Sequence, residues 1–113
     1  MWALVTGATS GIGAEFTKLL AKEHYDIILV ARDEIRLKNS AEELEKEFGV
    51  ATEIIVADLS AENEIVKVEQ RLLTTDPSLA VGVLINNAGY GLKGRFIDHT
   101  SGAELDLLNV LVT

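Results

Sequence analysis

Four short apolar runs alternate along the chain with longer stretches of helical period, and this alternation constrains the fold more than any other feature. Residues 2–6 (Trp-Ala-Leu-Val-Thr) read as a strand. From Ile12 the spacing changes: Ile12, Phe16, Leu19 and Leu20 fall at i, i+4, i+7 and i+8, one face of a helix. Residues 26–31 carry Ile27, Ile28, Leu29 and Val30 without interruption, the pattern of a strand covered on both faces. Asp33 is placed to cap a second helix whose apolar face uses Leu37, Ala41, Leu44 and Phe48, and Gly49 is placed to end it. Residues 50–57 read as a third strand, and Ser60 as the cap of a third helix through Ile65, Val68 and Leu72, with Glu62 and Glu64 near its positive end. Pro77 falls in a loop before a fourth strand at 81–85. Ser101 and Glu104 form a capping box that predicts a last helix through Leu105, Leu108 and Val112. Helix-length connections between strands demand a mostly parallel sheet, so the expected architecture is one three-layer α/β domain over residues 1–113.

The first strand and first helix are joined by Thr6-Gly7-Ala8-Thr9-Ser10-Gly11-Ile12-Gly13. Each glycine has a physical use there. Gly7 permits a tight turn off the strand, Gly11 lets phosphates approach the backbone, and Gly13 lets helix and sheet pack closely. A helix N-terminus in this position aims free N–H groups and a positive dipole end at a pyrophosphate. A glycine-rich turn without a ligand would have the same composition, but its place at a strand-to-helix junction favours a dinucleotide site. The spacing, Gly-x-x-x-Gly-x-Gly, differs from the commoner Gly-x-Gly-x-x-Gly.

In this the chain resembles the short-chain dehydrogenase/reductase family, and the resemblance recurs along all 113 residues. Thr6 to Gly13 match the family's Thr-Gly-x-x-x-Gly-x-Gly, and Asn86-Asn87-Ala88-Gly89 match its Asn-Asn-Ala-Gly after the fourth strand. Asp58, before Leu59, matches the family's adenine-facing Asp after the third strand. Asn109, before Val110, matches an Asn that belongs to the family's catalytic set. The resemblance implies a Rossmann-like sheet with strand order 3-2-1-4. It also implies a cofactor site drawn from Gly7, Thr9, Ser10, Gly11, Ile12 and Gly13 in the turn, with Asp58 and Leu59 beyond the third strand. Asn87, Ala88 and Gly89 complete it after the fourth. Apart from that likeness, Asn86 and Asn87 could serve as turn residues, Asp58 as a helix-entry residue and Asn109 as a polar position on a helix.

In dinucleotide folds the residue ending the second strand reads the adenosine ribose, an acid accepting from a free 2′-hydroxyl and an Arg accommodating a 2′-phosphate. Here the residues are Ala31-Arg32, and Arg32 has the planar fork that suits a phosphate. In the resembling family this goes with NADP(H), so NADPH is expected over NADH, although many NADP-using relatives carry a basic residue where this chain has Ser10. The other reading of Arg32 is a solvated charge paired with Asp33.

Family chemistry moves a hydride between the nicotinamide and a carbonyl or alcohol carbon, with proton transfer by a Tyr helped by a Lys four residues on, and a Ser on the substrate oxygen. Tyr25 is followed at that spacing by Leu29 and Tyr90 by Gly94, so the pair is absent, and Asn109 is the one match to the catalytic set. The family's Ser and Tyr-x-x-x-Lys lie beyond its fifth strand. The expectation is therefore a cofactor-binding half, cut before that strand and not turning over by itself. Its fourth strand is an open edge and its last helix is apolar nearly all round, so self-association through both is expected. A non-enzymatic cofactor-sensing module is the alternative. A methyltransferase is disfavoured by Arg32 and by Asn86 to Gly89.

Composition narrows the remaining classes. Ten Lys and Arg against eighteen Asp and Glu give a net charge of −8, which argues against nucleic-acid or anionic-membrane partners. With no Cys, disulfides and thiolate sites are excluded, and His24 and His99 have no companion ligands, so no metal is expected. No apolar run approaches a membrane span and no signal peptide is evident, which predicts a cytoplasmic protein.

Overall fold

The computed structural model describes residues 1–87 and the backbone of residues 106–109. The elements run β1 (Trp2–Thr6), α1 (Gly11–Lys22), β2 (Asp26–Ala31), α2 (Glu34–Phe48), β3 (Thr52–Val56), α3 (Glu62–Leu72), a 3-10 turn (Pro77–Leu79), β4 (Val81–Asn86) and β5 (Asp106–Asn109). All pairings are parallel, in the order β3-β2-β1-β4-β5. The first four strands thus take the expected order 3-2-1-4, with the reversal of direction falling between β1 and β4.

Side chains alternate between the two faces along β1 and β2. Trp2 and Leu4 of β1 and Ile28 and Val30 of β2 join Ile65 and Val68 of α3 on one face. Ala3, Val5, Ile27 and Leu29 join Ala21 of α1 and Leu37, Ala41 and Leu44 of α2 on the other. Burial on both faces explains the unbroken apolar run of β2. Ile27, Ile28, Leu29 and Val30 are all fully buried, each worth about 1.5–3 kcal/mol relative to an exposed position.

α2 has the predicted ends, Asp33 accepting from Arg36 N at 3.1 Å and Gly49 in the left-handed conformation at φ 70°. α1 departs from its pattern. Ile12 and Leu19 are 47% and 58% exposed, whereas the buried face is Gly13, Thr17 and Ala21, flanked by the half-buried Phe16 and Leu20. Small residues win this face because α1 lies close against the β1 turn. Thr17 satisfies its own buried hydroxyl by donating to Ala14 O at 2.6 Å. α3 starts one residue later than predicted, capped by Ala61, because Ser60 is engaged with Asp58. At the end of the sheet where β1 and β3 begin, the Arg71 guanidinium lies 5.3 Å from the Trp2 ring centre and pairs with Glu53 at 2.9 Å, tying α3 to the strands.

Two expectations need correction. The helix predicted through Leu105 and Leu108 is, at residues 106–109, the strand β5, and the fourth strand is therefore not an open edge. A short apolar run carries no periodicity that distinguishes strand from buried helix, and the unpaired groups of β4 are satisfied by a parallel neighbour. The remainder of that predicted helix, with Val112, lies outside the described residues, as do Tyr90 and His99.

A Cβ at Gly13 would collide with Gly7 O and lie 2.8 Å from Asn87 Nδ2, while one at Gly11 would meet nothing within 4 Å among the described residues. Gly13→Ala is therefore expected to destabilise the fold by about 3 kcal/mol or more, and Gly11→Ala to change stability by less than about 1 kcal/mol. Urea unfolding of both variants checks the contrast.

Candidate functional site

The C-terminal ends of β1, β2, β3 and β4 converge on a cleft of about 800 Å³, at the point where the strand order reverses. Its walls include Gly7, Thr9 and Ser10 after β1, Ala31 and Arg32 at the end of β2, Asp58 and Leu59 after β3, and Asn87 after β4.

Gly7 turns off β1 at φ 62°, a conformation that other residues adopt only with strain. Its carbonyl accepts from Ser10 N at 3.1 Å, Ser10 Oγ at 2.8 Å and Asn87 Nδ2 at 3.2 Å. Asn87 Nδ2 also donates to Ser10 Oγ at 2.9 Å, so one amide ties the β1 turn to the end of β4. One residue earlier, Thr6 Oγ1 donates to Asn86 Oδ1 at 3.2 Å across the same pair of strands. Asn87 is 5% exposed, and its Oδ1 is buried with no hydrogen-bond partner among the described residues. A buried acceptor on a cleft wall suits a ligand that brings a donor.

Ser10 is the N-cap of α1, but its hydroxyl is turned to Gly7 O and caps nothing. The helix's own bonding begins with Ala14 N to Ser10 O at 2.7 Å, so the N–H groups of Gly11, Ile12 and Gly13 precede it. α1 has no acid in its first turn. α2 has Glu34 and the Asp33 cap, and α3 has Glu62 and Glu64. Among the described residues, α1 is the one α-helix whose positive end is left without an acid, and that end opens beside the cleft. The open space over Gly11 leaves room for an anion to reach the backbone.

Asp58 accepts from Ser60 Oγ at 2.6 Å and from Ser60 N at 3.0 Å. The Ser60 hydroxyl foremost, then its backbone N–H and the nearby Arg32 charge, hold the Asp58 carboxyl below the usual carboxylate range. Asp58 is therefore an anion at neutral pH that accepts hydrogen bonds at the cleft wall.

Most of the predicted site residues meet in this cleft. Gly11 and Ile12 stand at its α1 end, and Gly13 is buried behind the turn that shapes it. Ala88 and Gly89 lie outside the described residues. Asn109 ends β5, in register with Asn86, rather than occupying a helix. Arg36, in the first turn of α2, also lines the cleft together with Asp33, and sequence reasoning passed over it. The available signal was its position three residues after the Asp33 cap, which faces it back toward the strand ends.

This fold and cleft define an α/β protein of the Rossmann type. Residues 1–112 match the family described as short chain dehydrogenase, and the chain belongs to that family. A very-long-chain 3-oxoacyl-CoA reductase from Laccaria bicolor is 37% identical over 113 residues, covering 98% of this chain and 33% of its own. The inactive hydroxysteroid dehydrogenase-like protein 1 of Homo sapiens is 37% identical over 112 residues, covering 96% and 33%. Among solved structures, a short-chain dehydrogenase from Sphingobium yanoikuyae in complex with NADPH superposes with a TM-score of 0.71 at 45% identity, over 78% of this chain and 33% of that one. An alcohol dehydrogenase from Thermococcus sibiricus complexed with 5-hydroxy-NADP gives 0.69 at 33% identity, over 78% and 37%. The chain thus spans about a third of the length of these relatives.

The Asp58 arrangement has a pH consequence. A folded pKa held below the unfolded one adds stability that is complete above the unfolded carboxylate pKa and is lost as pH falls through the lower folded value. Ser60→Ala removes the main cause, so the Asp58 titration should move up and the acid limb of the stability curve should weaken. Carboxyl NMR titration of wild type and variant measures both.

Proposed function

We propose that this chain binds NADP(H) in the cleft as the cofactor-binding half, residues 1–113, of a short-chain dehydrogenase/reductase oxidoreductase. The observation that carries this reading is the N-terminus of α1, without an acid in its first turn, meeting Arg32, Asp58 and an Asn87 Oδ1 that has no partner among the described residues, at the strand-order reversal. In it, the α1 N–H groups and the Gly7–Ser10 turn hold the pyrophosphate and Asp58 orients the adenine end. Arg32 accepts a 2′-phosphate, and Asn87 Oδ1 takes a ligand hydrogen bond. A bound nicotinamide dinucleotide supplies the hydride donor or acceptor.

Relatives named for 3-oxoacyl-CoA, bulky ketone and L-sorbose reduction share one chemistry, reduction of a carbonyl. A carbonyl or its alcohol is accordingly the substrate class of the whole protein. These 113 residues contain no Tyr-x-x-x-Lys, and Asn109 is the one residue matching the catalytic set, so the chain by itself is expected to bind cofactor without turnover. A second reading, a cofactor-binding module without catalysis, is favoured by the 37% identity to a relative named as inactive. Among the described residues no helix is long and apolar enough to cross a membrane.

Calorimetric titration tests the cofactor. NADPH should bind more tightly than NADH, and Arg32→Ala should weaken NADPH by about tenfold with little change for NADH. Equal affinities, with no loss in the variant, would remove the NADP(H) assignment. Self-association is proposed through the outer side of β5, the edge of the sheet among the described residues. Light scattering over a range of concentrations should give a mass above 12.2 kDa, and a constant monomer mass would exclude it.

A further inference from the structure

Asp58 is held by more than its two bonds from Ser60. Its carbonyl accepts from Ala61 N at 3.0 Å, and both Ser60 bonds fall on one carboxylate oxygen, Oδ1. Oδ2 has no hydrogen-bond partner among the described residues, so it is the oxygen left to meet a donor from the cleft. A second set of contacts, made from α3, fixes the strand end that carries this residue. Lys67 Nζ donates to the carbonyl of Val56, the last residue of β3, at 3.0 Å and pairs with Glu64 at 2.9 Å. The Lys67 hydrogen bond first, and then the Lys67 charge and the Asp58 backbone N–H, hold the Glu64 carboxyl below its ordinary range.

The position of Val56 explains why a side chain is needed there. β3 is an edge strand among the described residues. Ala57 turns its N–H inward to Ala31 O at 2.9 Å, so the Val56 carbonyl before it faces outward, where no strand holds it. Lys67 supplies the missing partner and fastens the end of β3 to α3. The pairing also settles an electrostatic conflict. A lone carboxylate at Glu64 would repel Asp58 and any phosphate in the cleft. With Lys67 on it, Glu64 meets the Asp58 N–H without adding net negative charge, on a chain already at −8.

We propose that Lys67 and Glu64 are positioning residues for Asp58. Together they hold residues 56–58 so that Oδ2 accepts from the 6-amino group of adenine, and they thereby set a preference for a 6-amino over a 6-oxo purine. Neither residue lines the cleft, and both act through Asp58. The inference rests on the reading above in which Asp58 orients the adenine end, and it adds the residues that orient Asp58. A partly exposed ion pair contributes little to stability, so its loss should leave the fold intact and appear in ligand selectivity.

The test titrates the full 113-residue chain calorimetrically with NADPH and with its counterpart in which hypoxanthine replaces adenine. Hypoxanthine puts a carbonyl acceptor where adenine has an amine donor, so wild type should prefer NADPH by about tenfold. Lys67→Met and Glu64→Ala should cut that ratio by at least about threefold while changing affinity for the hypoxanthine ligand by less than about twofold. Lys67→Arg and Glu64→Gln should retain most of the ratio, because each keeps a group able to make the same hydrogen bond. Lys38→Met breaks a comparable pair on α2, with Glu34, and should leave the ratio unchanged. An undiminished ratio in both Lys67→Met and Glu64→Ala would overturn the inference and leave Asp58 as the adenine reader. Equal losses for the two ligands would also overturn it, in favour of general loosening of the cleft wall. A wild-type chain that binds both ligands equally removes the adenine role of Asp58 and this inference with it, while the 2′-phosphate reading still stands on Arg32. Binding of neither ligand overturns the NADP(H) reading as well.

Discussion

The contact on which the rest of the structure depends is the approach of Gly13 to the Gly7 carbonyl, too close for any side chain to intervene. It sets how near α1 lies to the sheet, and so selects the small face of Gly13, Thr17 and Ala21 over the larger side chains that the periodicity favours. It also holds the first turn of α1 at the end of β1 rather than displaced along it. The Gly7 carbonyl, loaded with donors from Ser10 and Asn87, makes the turn a rigid joint between the two strands that flank the order reversal. A packing constraint in the core is in this way also the device that aims helix N–H groups at the cleft.

Electrostatics act on the same joint. A strongly acidic chain would repel a pyrophosphate if its charges were spread evenly. They are not. Acids occupy the N-termini of α2 and α3, where they stabilise those helices, and are missing from α1. Stability foregone at one helix end, on the order of 0.3–1 kcal/mol, leaves a positive site facing the cleft.

Much of this is legible in the sequence because it is local. The parallel sheet follows from helix-length spacing between strands, the α2 boundaries from Asp33 and Gly49, and the glycine turn from its place between elements of different period. What escapes is what depends on distant partners. The buried face of α1 is decided by how close the sheet comes, which no periodicity within Ile12, Phe16 and Leu19 reports. Ser60 looks like a helix cap because Ser usually caps, yet the Asp58 carboxylate is a stronger acceptor two residues away and takes it. Arg36 reads as one more charge on a wet helix face until the ends of β2 and β3 are brought beside it.

The segment 106–109 is the sharpest case, since its residues suit either structure. Leu107 and Leu108 are apolar neighbours that a strand or a helix could equally carry, and β4 offers a ladder of unpaired groups. Residues 87–105 are long enough for the crossover that a parallel pairing requires. The register then decides what the change of structure means for the site. Asn109 falls opposite Asn86, the last residue of β4 and the one immediately before Asn87 of the cleft wall. A strand in this register therefore keeps Asn109 at the C-terminal end of the sheet, the end where open parallel sheets bind their ligands.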